Sequence, residues 1–87
     1  MDYKGLVREL LTQCTSEQRK KWGLTQEQMA ELLHISSRAY GNAERGKSCI
    51  SSQTLVSLLG RMDEDDILEL LLVFNQRLDE LGDDMPI

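Results

Sequence analysis

Residues 24–62 read LTQEQMAELLHISSRAYGNAERGKSCISSQTLVSLLGRM, and the order of caps and apolar residues in this stretch decides the fold. Thr25 is suited to cap a helix, and Gln28 three residues on completes a capping-box pattern. Met29, Ala30, Leu32 and Leu33 then fall on one side of about two turns. His34 and Ile35 carry the chain round a tight turn. Ser36 is placed to cap a second helix over residues 37–45, which Gly46 stops in the left-handed conformation that glycine tolerates. Ser51 opens a third helix bearing Leu55, Val56, Leu58, Leu59 and Met62. The pattern predicts an all-α chain built round two short helices and a turn.

Upstream, residues 3–14 form an amphipathic helix with Leu6, Val7, Leu10, Leu11 and Cys14 on one side. Thr15-Ser16-Glu17 can cap a new helix or continue the first. Trp22 is expected to plug the core just before Gly23. Downstream, a longer helix runs from Asp63 to about Leu81. Asp63 caps it with Asp66 three on, and Asp63, Glu64, Asp65 and Asp66 all suit the positive end of the helix dipole. This cluster lacks the glycine turn and alternate ligands of a calcium loop. Ile67, Leu71, Phe74, Leu78 and Leu81 follow heptad spacing. Leu68, Leu70, Leu72 and Val73 widen the apolar surface beyond what one core contact needs. The surplus predicts a dimer interface at Leu68, Leu71, Leu72, Phe74 and Leu78; the alternative is a helix buried deeply in its own small domain. Residues 82–87 form a frayed tail.

Bulk properties narrow the classes. The 87 residues carry a net charge of −5, unevenly spread. Residues 1–62 hold nine Lys/Arg and six Asp/Glu, or +3, whereas residues 63–87 hold one Arg and nine Asp/Glu, or −8. A basic face on the first part can meet phosphates if the acidic end points away. No apolar run is long enough to span a bilayer and no signal peptide is expected, so the chain reads as cytoplasmic. Cys14 and Cys49 share no metal or redox spacing and read as free thiols. The one histidine lies in a turn, and no nucleophile, base and orienter converge. Neither an enzyme, a metal site nor a cofactor is expected.

Leu24-Thr25-Gln26-Glu27, Met29-Ala30-Glu31, Ile35-Ser36, Glu44-Arg45-Gly46-Lys47, and Ser51 followed by Thr54-Leu55 resemble the phage-repressor (Cro-type, XRE-like) family of helix-turn-helix DNA-binding domains. The resemblance implies a compact five-helix repressor-like domain with its helix-turn-helix at about 25–33 and 36–45. The expected organisation is one domain over 1–81, with core motif 19–62 and C-terminal helix 63–81. Three features depart from the family. Apolar residues usual near Thr15 and Gln18 are missing, which predicts either a break near Thr15 or a long first helix in an unusual register. Tyr40 replaces an aliphatic core residue and is expected to point inward with its hydroxyl at the edge. His34 stands for the usual turn glycine, so a positive φ is expected there.

The resemblance also implies roles. Arg19 would pair with Glu44 as a structural ion pair, the alternative being a solvated arginine. Thr25 and Gln26 at the start of the first motif helix, and Arg45, Lys47 and Ser48 beyond the second, would contact phosphates. Ser37, Arg38 and Asn42 would read bases. Residues 38 and 42 share a face, Arg38 suiting guanine and Asn42 adenine. Gly41 is a poor helix former, which predicts either a frayed or bent helix there or a close backbone approach to DNA. The expected function is a sequence-specific transcriptional regulator, a repressor occluding a promoter as a homodimer on a pseudo-palindromic double-stranded operator. A protein-interaction module on the same fold (antitoxin, antirepressor or adaptor) using the C-terminal helix is the alternative.

Overall fold

In the computed structural model, which describes residues 2–81, five helices succeed one another with no strand among the described residues. They are α1 (Tyr3–Lys21), α2 (Gln26–Leu32), α3 (Ser37–Glu44), α4 (Ser52–Arg61) and α5 (Glu64–Leu81). The tail expected to fray, 82–87, lies outside the described residues.

Side-chain caps set the helix starts. Asp2 accepts from the Gly5 N–H at 2.7 Å, and Ser36 accepts from Ala39 at 3.0 Å. Thr25 and Gln28 form a reciprocal capping box, each side chain accepting from the other's backbone N–H at 3.1 and 2.9 Å. Ser51 accepts from Thr54 at 3.2 Å. Each cap satisfies donors that the first helical turn leaves without a carbonyl partner. Left-handed residues close the turns: Gly23 at φ 69°, His34 at φ 61° and Gly46 at φ 76°.

Of the two alternatives at Thr15, the uninterrupted helix is the one observed. Thr15 is buried, and its hydroxyl donates to the Leu11 carbonyl at 2.6 Å, which satisfies it inside its own helix. Gln18 is buried as well and donates from Nε2 to Asp66 at 3.2 Å. Polar residues therefore hold the apolar positions of the family, Thr15 through an acceptor in its own helix and Gln18 through Asp66 of α5, with Gln18 Oε1 left buried and unpartnered.

Cys14, Met29, Ala30, Leu33, Tyr40, Leu58 and Met62 form the central core. Trp22 lies half-buried against it, so it covers the core rather than plugging it. Burial and the nearby Glu17 and Asp66 carboxylates push the Cys14 thiol up to about 11, making it inert at neutral pH. Tyr40 differs from expectation: it is fully buried, hydroxyl included, instead of reaching the edge.

α5 packs chiefly on α1, whereas α3 packs chiefly on α2 and less extensively on α1. α5 is tethered by charge. Lys21 bridges to Asp66 at 2.6 Å and Asp63 at 3.3 Å, and Arg77 reaches Glu9 at 3.5 Å. The Asp63 carboxylate thus turns to Lys21, while its carbonyl takes the Ile67 N–H. No residue of α5 is buried, so deep burial of this helix in its own domain is ruled out. Its heptad pattern does not form one stripe. Ile67 and Leu70 pack towards the core and Phe74 meets the Tyr3 ring at 6.1 Å. Leu68, Leu71 and Leu72 stand on an adjoining flank, each more than half exposed. The radius of gyration, 13.3 Å, exceeds the about 12 Å expected for a compact chain of this length, in line with a helix lying on the outside.

Candidate nucleic-acid interface

The orientation of α3 rests on a charged anchor at its C-terminal end. Arg19 of α1 grips Glu44 with two parallel hydrogen bonds, Nε to Oε2 at 3.0 Å and Nη2 to Oε1 at 2.8 Å. Its remaining arm, Nη1, donates to the Leu24 carbonyl at 3.0 Å. One guanidinium thus ties together α1, the loop entering α2, and α3. The planar fork matches the carboxylate geometrically, so the contact sets angle as well as distance. Arg19 holds the Glu44 carboxyl below the usual carboxylate range. Tyr40 lies close enough for its phenol to be pushed upward, by burial first and by Glu44 second, yet it reaches hydrogen-bond geometry with neither partner.

With that end fixed, the Ser36 cap presents the N-terminal turn of α3. Ser37 and Arg38 are exposed there and Asn42, one turn on, is half-exposed. Asn42 is already engaged: its Oδ1 accepts from Arg45 Nη2 at 2.9 Å, and its carbonyl accepts from the Lys47 N–H at 2.9 Å. Arg45, Lys47 and Ser48 are exposed past the helix end. Gln26 sits at the exposed start of α2, with its side-chain amide donating to Glu44 at 3.3 Å. Thr25 uses its hydroxyl and its N–H within the capping box, leaving the Gln26 and Glu27 amides as the ones lacking a helical carbonyl.

Gly41 is a packing site that the sequence does not reveal. The three atoms nearest to where its Cβ would stand all belong to the Arg45 guanidinium, the closest at 3.1 Å. The close backbone approach to DNA expected at Gly41 meets this protein's own arginine, packed over the glycine. Only the spacing of Gly41 and Arg45, one helical turn apart, hinted at it.

A capped α2, a left-handed turn at His34 and a capped, exposed α3 constitute a helix-turn-helix unit. Residues 16–65 match the helix-turn-helix family model, more than half of the chain, and the chain belongs to that family, in its XRE-like branch. It is a DNA-binding transcription regulator of this type. No curated protein and no solved structure matches the chain. Among the described residues, no helix is long and apolar enough to cross a membrane.

Proposed function

We propose that the protein is a cytoplasmic repressor that binds a pseudo-palindromic operator as a homodimer, with α3 in the major groove of each half-site. The observation that carries this reading is the exposed Arg38 on the first turn of a helix whose far end is locked by the Arg19–Glu44 fork. A long side chain on a rigid mount can deliver two parallel bonds to guanine O6 and N7, giving about 1–3 kcal/mol of discrimination. Ser37 lies beside it, and Asn42 lies one turn along. Thr25 and Gln26 on one side, and Arg45, Lys47 and Ser48 on the other, are the phosphate-facing set, Gln26 leaving Glu44 for a phosphate as DNA arrives. So few cationic contacts make a single subunit weak and its salt dependence shallow. A second subunit supplies the remainder, with reading helices about 34 Å apart.

The single domain spanning 1–81 would pair through Leu68, Leu71 and Leu72, flanked by the half-buried Phe74 and Leu78. Exposed leucines at successive turns of one helix form an apolar surface that a lone soluble chain leaves in contact with water at a cost. α5 docks chiefly on α1, and Lys21 neutralises part of its acidic start, which lessens its repulsion from the phosphates.

Fluorescence-anisotropy titration of the DNA upstream of the protein's own gene, against a scrambled duplex at two salt concentrations, tests the reading. Tight, salt-sensitive binding that prefers the upstream duplex, and loses that preference in Arg38→Ala, is expected. Absence of binding at low salt would refute it and favour the protein-interaction alternative through α5.

A further inference from the structure

α3 carries glycine at its centre, although glycine is a poor helix former. The conformation does not call for it, because Gly41 is not among the residues with positive φ. Its use is spatial. Arg45, the C-cap residue, folds its side chain back along α3, and its guanidinium lies tightly against the position a Cβ would take, with Nη1 at 3.1 Å, Nη2 at 3.6 Å and Cζ at 3.7 Å from it. From there Nη2 donates to Asn42 Oδ1 at 2.9 Å.

The chemistry of that bond has a directional consequence. A guanidinium carries five donors and no acceptor, so the amide atom facing it must be the oxygen. Asn42 is therefore held with Nδ2 and its two N–H groups turned away from Arg45. An unrestrained asparagine suits adenine because it offers a donor and an acceptor together. With its oxygen held by Arg45, the pair offers donors: the Asn42 amide and the free arms of the Arg45 fork. Guanine alone presents two acceptors, N7 and O6, on its major-groove edge.

We propose that Asn42 and Arg45 act as one base-reading unit that selects guanine, with Gly41 as the positioning residue that makes room for it. Arg45 then belongs to the reading set rather than to the phosphate clamp, and Asn42 does not read adenine. The inference rests on the operator-binding reading above, and it adds a second guanine to the half-site beside the one Arg38 contacts.

The test is selection from a randomised duplex pool by the full chain, followed by titration of single-position variants of the selected site. Wild type is compared with Arg38→Ala, Gly41→Ala, Asn42→Ala and Arg45→Ala. Wild type should select guanine at two positions, Arg38→Ala losing one. Asn42→Ala and Arg45→Ala should both lose the other, by about 5- to 150-fold at that base pair. Gly41→Ala is the decisive variant. It favours the helix, keeps every charge and crowds only a flexible side chain. It should relax discrimination at the same base pair while the salt slope stays as in wild type and the melting temperature does not fall.

The proposal is overturned if adenine is selected at the second position or if Gly41→Ala discriminates as wild type does. It also fails if Arg45→Ala weakens all duplexes equally and lowers the salt slope by about one, the behaviour of a phosphate contact. Selection that survives in Gly41→Ala and Arg45→Ala but is lost in Arg38→Ala removes this inference alone. A wild-type protein that selects nothing removes the operator reading and the inference with it.

Discussion

Replacing Tyr40 with phenylalanine should stabilise the protein. The side chain is fully buried in the core, and its hydroxyl has no hydrogen-bond partner. A polar group buried without a partner costs about 1–3 kcal/mol. Part of that cost is offset here, since the hydroxyl dipole lies near the Glu44 carboxylate, which contributes to the raised phenol pKa. Removing one oxygen leaves little cavity and no donor to strand, so a net gain of about 1 kcal/mol is expected. For a domain of this size that corresponds to a rise of about 4–8 °C in melting temperature. Urea and thermal unfolding, followed by circular dichroism and Trp22 fluorescence, measure both quantities. Phenylalanine also leaves the Arg19–Glu44 fork intact, so operator binding should be unchanged. A loss of stability beyond about 0.5 kcal/mol would refute the reasoning, because it would mean that the hydroxyl forms a net favourable hydrogen bond in solution.

Acid should destabilise the fold through Glu44 and Asp66. Arg19 depresses the first carboxyl and Lys21 the second, so each contributes stability above the ordinary carboxylate range that is lost as pH falls through the folded-state values. Urea midpoints measured from neutral pH down through the carboxylate range should drop, and Glu44→Gln should flatten part of that drop; a parallel pH profile would count against it. His34→Gly should raise stability by up to about 1 kcal/mol by relieving a left-handed non-glycine residue, net of the greater chain entropy of glycine. Equilibrium unfolding reads this directly, and a loss would show that the histidine side chain makes a compensating contact. Leu68→Glu with Leu72→Glu should convert a dimer to a monomer in sedimentation equilibrium with helix content unchanged, because both side chains are more than half exposed. A monomeric wild type would exclude the dimer; helix loss in the variant would mean that the leucines are structural.

Local chemistry explains why so much of the fold was legible. Thr25, Gln28, Ser36 and Ser51 act on backbone groups within three residues, and the stops at Gly23, His34 and Gly46 are set by the φ each turn demands. Such interactions are decided by near neighbours, so they survive in the sequence as fixed short spacings. The helix-turn-helix resemblance is built from those spacings, and the family match over residues 16–65 follows from them.

Other features depended on what the tertiary structure brings together. Thr15 and Gln18 looked out of place because their acceptors, the Leu11 carbonyl and Asp66, become visible only once α1 is continuous and α5 is docked. Tyr40 was expected at the edge because sequence does not show how completely the core formed with Cys14, Met29 and Leu58 encloses it. Apolar spacing marked α5 as amphipathic, but it did not show which row α1 takes and which is left to water. The candidate site divides in the same way. Exposure of Ser37 and Arg38 follows from a capped helix start. The Arg45 guanidinium over Gly41, and the Asn42 amide it holds, depend on a long side chain choosing one path among many. Short-range bonding along the chain determined the helices, their ends and the family; side-chain packing between distant segments decided burial, the free face of α5 and the donors α3 presents.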